Sequence, residues 1–142
     1  MEPTLIREIM QEKIVTISVG DRLSTLEDIM TLGKVRHMPV VHAGKLVGVV
    51  SERDLLRVSL SNLAHRQDER RAFLEAVDIA RVMSAPPIVV SPDDTVEEAA
   101  LIMAREKIGC LPVVEAGELV GMVTETDLLR CFAGRMRAGE HI

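Results

Sequence analysis

Apolar and polar positions change period several times along the chain, and the whole series of changes occurs twice. Ile14-Val15-Thr16-Ile17 is β-rich. Leu23, Leu26 and Met30 then recur at helical spacing and predict one apolar stripe against a core. Pro39-Val40-Val41 and the run from Leu46 to Val50 flank Ala43-Gly44, the pattern of a hairpin whose turn needs a positive φ. A further helix is predicted from Ser51. The second series repeats each step with Ile88-Val89-Val90, then Val96, Ala99, Ala100 and Met103, then Pro112-Val113-Val114, Ala116-Gly117 and Leu119 to Val123, and a helix from Thr124. Asp21 and Asp94 stand just ahead of the first helix of each series and are predicted to cap it.

Laid on each other at an offset of 73 positions, residues 6–57 and 79–130 match without a gap, and 21 of the 52 pairs are identical. The identity concentrates from Pro39 to Arg57 against Pro112 to Arg130, where GVVSERDLLR is answered by GMVTETDLLR. The chain is therefore a duplication of a β-α-β-β-α unit, with the copies over 4–58 and 79–133. Residues 59–78 read as a largely helical connector, exposed over its basic-acidic middle, and 134–142 as a short frayed tail. About fifty residues per copy is a small core, so the fold class is α+β with two pseudo-twofold-related copies packed sheet to sheet in one module.

Composition narrows the function classes. Of 142 residues 47% are apolar, but only Phe73 and Phe132 are aromatic, so there is no platform for stacking bases. The net charge of −5 also disfavours a nucleic-acid partner, because phosphate backbones select basic surfaces. Apolar runs fall well short of the ~20 residues of a membrane helix. MEPTLIREIM lacks the basic start and apolar stretch of a secretory signal. The two cysteines, Cys110 and Cys131, have no metal or disulfide spacing. A cytoplasmic protein with no membrane partner is expected.

The repeated phrase admits two readings. Ser51-Glu52-Arg53-Asp54 and Thr124-Glu125-Thr126-Asp127 fit a capping box, in which a hydroxyl accepts from the helix's third N–H and a carboxylate reaches back. The same groups sit where unsatisfied N–H groups favour anions, so a hydroxyl and a carboxylate there also suit a phosphorylated polyol. Gly48 and Gly121 suit a close approach of another element or a ligand.

The duplicated unit, with PVV, AGxLVG and V[ST]-E-x-D-L-L-R in order, resembles a tandem pair of cystathionine-β-synthase (CBS) domains across about residues 4–133. The resemblance implies a compact module that binds adenosine-containing ligands in clefts between the two motifs, regulates a protein and pairs into homodimers. This chain is similar to the stand-alone form. Carried over by position, Asp54 and Asp127 would hold ribose hydroxyls, and Ser51 and Thr124 would approach phosphate or ribose. Adenine would lie against Val15, Thr16, His37, Met38 and Pro39 in one copy, and against Ile88, Val89, Cys110, Leu111 and Pro112 in the other.

The copies are unequally equipped. Arg36, His37 and Arg53 surround the first motif, where the second has Gly109, Cys110 and Thr126. Arginine suits phosphate through paired charge-assisted bonds. The Ser51/Asp54 site is therefore expected to take the phosphorylated end of AMP, ADP or ATP, and the Thr124/Asp127 site a less charged adenosyl group or nothing. No catalytic residue, resident cofactor or metal site is predicted, and magnesium would enter only with a bound nucleotide. The leading expectation is a non-enzymatic adenine-nucleotide sensor with a regulated partner protein. The alternative is a dimerising adaptor with vestigial clefts.

Overall fold

The computed structural model describes residues 2–60 and 66–139, and these form two compact units with mixed α and β structure. A central unit holds Val15–Pro87, and a terminal unit combines the residues up to Ile14 with those from Ile88 onward.

In the central unit β1 (Ile17–Ser18) pairs in parallel with β2 (His37–His42), and β2 pairs antiparallel with β3 (Lys45–Ser51). The hairpin turns through Ala43 and Gly44, both at positive φ (50° and 77°), the conformation a two-residue hairpin favours. Helix α1 (Leu23–Gly33) buries Leu23, Leu26 and Met30, the predicted stripe, against Ile17, Met38, Val40 and Val50. Leu55 of α2 (Glu52–Leu60) and Leu74 of α3 (Gln67–Ala76) close the same cluster.

The terminal unit has the matching hairpin, β4 (Cys110–Glu115) with β5 (Glu118–Thr124), turning through Ala116 and Gly117 at φ 51° and 79°. Helix α4 (Val96–Glu106) lays Ala99 and Met103 on Leu111, Val113 and Val123, and α5 (Glu125–Gly139) follows β5 directly. A first strand is reduced here to a single bridge, Val90 with Val113.

The packing units do not follow the repeat boundaries. A 3₁₀ turn, Ile6–Glu8, opens the first repeat but belongs to the terminal unit. There Ile6 is fully buried and the N–H of Ile6 donates to the Asp94 carbonyl at 2.8 Å. The equivalent turn Ile79–Arg81 opens the second repeat and packs in the central unit, with the N–H of Ile79 on the Asp21 carbonyl at 2.9 Å. Each body is thus completed by the segment that leads into the other repeat.

Several local expectations are corrected. Only Ile17 of the predicted Ile14–Ile17 strand is paired, and Ile88 and Val89 are exposed. Asp21 and Asp94 do not cap α1 and α4. Their carboxylates accept from the N–H groups of Ser18 and Ser91, closing a turn one residue earlier, and the caps are Arg22 and Thr95. In the connector's middle Arg66, Gln67, Asp68 and Glu69 are exposed, as expected, but Arg70 and Arg71 are half-buried and engaged with α1. Arg70 pairs with Glu27 and Arg71 with Asp28 and Glu27, docking α3 on α1. Residues 61–65 of that connector lie outside the described residues. Of the expected tail, residues 134–139 continue α5 to Gly139, and residues 140–142 lie outside the described residues.

Candidate functional site

Each repeat places its motif where a hairpin strand turns directly into a helix. Strand pairing sets His37 opposite Ser51 and Cys110 opposite Thr124, so the residues before PVV lie beside the motif hydroxyl in both units. The register is pinned at the helix start. The Glu52 N–H donates to the Arg36 carbonyl at 2.8 Å, and the Glu125 N–H to the Gly109 carbonyl at 2.9 Å.

The motifs form capping boxes. The Ser51 N–H and Oγ donate to Asp54 Oδ2 at 2.8 and 3.0 Å, and the Asp54 N–H donates to Ser51 Oγ at 3.1 Å. Thr124 and Asp127 repeat the arrangement at 2.8, 3.0 and 3.3 Å. A carboxylate has about four acceptor positions, two on each oxygen. The box uses the two on Oδ2, so capping and ligand binding are compatible in one residue.

The second oxygen separates the sites. Among the described residues nothing donates to Asp54 Oδ1, and Asp54 is half-buried. Asp127 is only 8% exposed, and the Gln11 side-chain amide donates to its Oδ1 at 3.1 Å while lying 3.4 Å from Oδ2. Gln11 is 116 residues away in sequence and is brought there by an antiparallel bridge to Met122. Sequence reading missed it, because only the fold joins the two residues.

The glycine expectation resolves toward a close approach by the chain itself. A Cβ on Gly48 would lie 2.8 Å from the Ser84 carbonyl oxygen and from Met83 Sδ. One on Gly121 would lie 2.8 Å from Met10 Sδ and 3.1 Å from the Gln11 carbonyl oxygen. These glycines admit the segments that complete each unit.

The other predicted residues divide by burial. Met38, Pro39, Leu111, Pro112 and Cys110 are buried, and His37 is half-buried. Val15, Thr16, Ile88 and Val89 are exposed just upstream of Ile17 and Val90, the residues that join the sheet edge. Arg36, Arg53 and Thr126 are exposed around the helix starts. In the central unit the structure therefore brings Arg36, His37, Ser51 and Asp54 to one place, with Arg53 in the first helical turn. In the terminal unit it brings Gly109, Cys110, Thr124 and Asp127 together. Among the described residues no group of three metal-ligating side chains occurs. No described helix is long and apolar enough to cross a membrane.

The sequence model of the CBS domain matches twice, over residues 6–61 and 78–134. A CBS domain-containing protein of Dictyostelium discoideum is 30% identical over 128 residues, which cover 88% of both chains. An inosine-5′-monophosphate dehydrogenase of Korarchaeum cryptofilum is 33% identical over 139 residues, 91% of this chain but only 26% of that enzyme. Among solved structures, the CBS domain pair of protein MJ0100, in complex with 5′-methylthioadenosine and S-adenosyl-L-methionine, superposes with a TM-score of 0.79 at 26% identity. The match covers 94% of this chain and 99% of that one.

Proposed function

The chain belongs to the CBS domain family as a tandem pair, and we propose that it is a non-catalytic regulatory module whose motif sites bind adenosine-containing ligands. The observation that carries the reading is the Oδ1 of Asp54, to which nothing donates among the described residues, held beside Ser51 at the start of α2. A carboxylate fixed in this way offers two acceptor positions to a ribose diol, and the helix start offers N–H groups to an anion. The relative MJ0100, which binds adenosyl compounds through a CBS pair, supports the ligand class.

Arg36 and Arg53 favour a phosphorylated ligand at the Ser51/Asp54 site, so AMP, ADP or ATP belongs there. Gly109 and Thr126 bring no charge to the Thr124/Asp127 site, which suits a less charged adenosyl group. Exposed Leu56 and Leu60 of α2 and Leu129 and Phe132 of α5 support self-association, and a regulated protein would receive the signal.

Thermal unfolding against AMP, ADP, ATP, S-adenosylmethionine, 5′-methylthioadenosine and GMP, with and without magnesium, tests the reading. A ligand at about 100 times its Kd stabilises a fold by about 2.7 kcal/mol, a shift of several degrees. An adenosyl ligand should raise the midpoint, and Asp54→Asn should reduce the rise produced by the phosphorylated ones to what the weaker Thr124/Asp127 site supplies. If no ligand moves it, the motifs serve only as helix caps and the dimerising adaptor becomes the better account.

A further inference from the structure

The two capping boxes agree to within 0.2 Å in every hydrogen bond, so what distinguishes the sites lies outside the motif. Resting on the ligand-binding reading above, we propose that Gln11 is a specificity-determining residue. Its side-chain amide occupies Asp127 and makes the terminal site the weaker one for a ligand that presents a vicinal diol.

The acceptor count carries the proposal. Oδ2 of either aspartate is filled by the N–H and hydroxyl of Ser51 or Thr124. Among the described residues nothing occupies Oδ1 of Asp54, which leaves two positions, enough for two adjacent ribose hydroxyls. Asp127 has given one of these to the Gln11 amide, which also crowds Oδ2, and keeps a single position. A diol can engage Asp127 fully only by displacing Gln11, whereas a ligand with one ribose hydroxyl can bind beside it. The duplication supplies an internal control. Ser84 stands at the position equivalent to Gln11 and bridges Val49 as Gln11 bridges Met122, yet it makes no bond to Asp54 among the described residues. The segment geometry is shared, and the amide alone is added. Gln11 is exposed apart from this contact, so its amide can swing into solvent when a ligand displaces it.

The test isolates each site and swaps the two residues, reading affinity by titration calorimetry with AMP and 3′-deoxy-AMP. In an Asp54→Asn chain, Gln11→Ser should tighten AMP binding by about tenfold, the value of one hydrogen bond of about 1.4 kcal/mol. It should leave 3′-deoxy-AMP nearly unaffected. In an Asp127→Asn chain, Ser84→Gln should weaken AMP by a similar factor. Circular dichroism confirms that each variant is folded. An unchanged or weakened AMP affinity in the first swap overturns the proposal, and so does an equal gain for both ligands. If the Asp127→Asn chain binds AMP and neither Asp54→Asn chain does, the proposal falls and the ligand-binding reading stands. If no chain binds AMP, both fall.

Discussion

Gly48 faces the Ser84 carbonyl so closely that a Cβ would stand 2.8 Å from the oxygen, closer than real Cβ contacts come. The contact sits inside a backbone pair. The Val49 N–H donates to the Ser84 carbonyl at 3.0 Å and the Ser84 N–H to the Val49 carbonyl at 2.8 Å, so neither strand can retreat without losing both bonds. Gly48→Ala should therefore destabilise the protein by about 1–3 kcal/mol. Gly121→Ala should cost less, because its nearest contact is the flexible end of Met10 and the Gln11 carbonyl stands off at 3.1 Å. Urea unfolding of the two variants measures the difference. Equal losses would show that the segment before each repeat yields as easily in both units.

Removing a capping hydroxyl separates the structural role of the motif from its binding role. Ser51→Ala and Thr124→Ala each leave one helix N–H without its acceptor and should cost about 1 kcal/mol, read in the thermal midpoint. Asp54→Asn keeps an acceptor oxygen for the Ser51 N–H while losing the charge, so it should lower ligand affinity far more than stability. If Asp54→Asn binds AMP as well as the unaltered chain, Asp54 is only a cap.

The hairpin turns carry removable strain. Ala43 and Ala116 stand at φ 50° and 51°, left-handed values that cost an alanine about 1–2 kcal/mol and that asparagine tolerates. Ala43→Asn and Ala116→Asn should each raise stability by about 0.5–1 kcal/mol, with additive shifts in the double variant because the turns lie in separate units. A fall in midpoint for either variant would mean that the alanine methyl is making a contact worth more than the strain.

What could be read from the chain followed the range of the interactions. The hairpins and capping boxes join residues within a few positions, so Ala43-Gly44 and Ser51-Asp54 were legible, and the duplication doubled every signal. The first strand is shorter than the β-rich run predicts, because such a run becomes a strand only where a partner reaches it. On that edge β2 reaches Ile17, Ser18 and the N–H of Val19, and β4 reaches Val90. The caps moved by one residue because Ser18 and Ser91 compete for the Asp21 and Asp94 carboxylates. The exchange of leading segments between repeats, and with it the Gln11–Asp127 bond, depends on contacts that no local pattern encodes.

The docking of α3 should respond to acid in one direction. Hydrogen bonds from Arg71, at 3.1 and 3.0 Å, hold the Asp28 carboxyl below its ordinary value of 3.8, with burial opposing and the opposite charge of Arg71 assisting. A carboxyl depressed in the folded state contributes stability above its unfolded value, and that contribution is lost as pH falls through the folded value. Arg71 is itself raised and stays charged throughout this window. The stability difference between the unaltered chain and Asp28→Asn should therefore be present at neutral pH and be lost as pH falls below 3.8 through the depressed folded value. Because the pair faces solvent, the difference should be small and should shrink in 1 M salt, where charges are screened within about 3 Å. Urea unfolding from pH 2.5 to 7, at low and high salt, measures it. A difference that ignores both pH and salt would show that packing of Leu74, rather than the ion pair, holds α3 on α1.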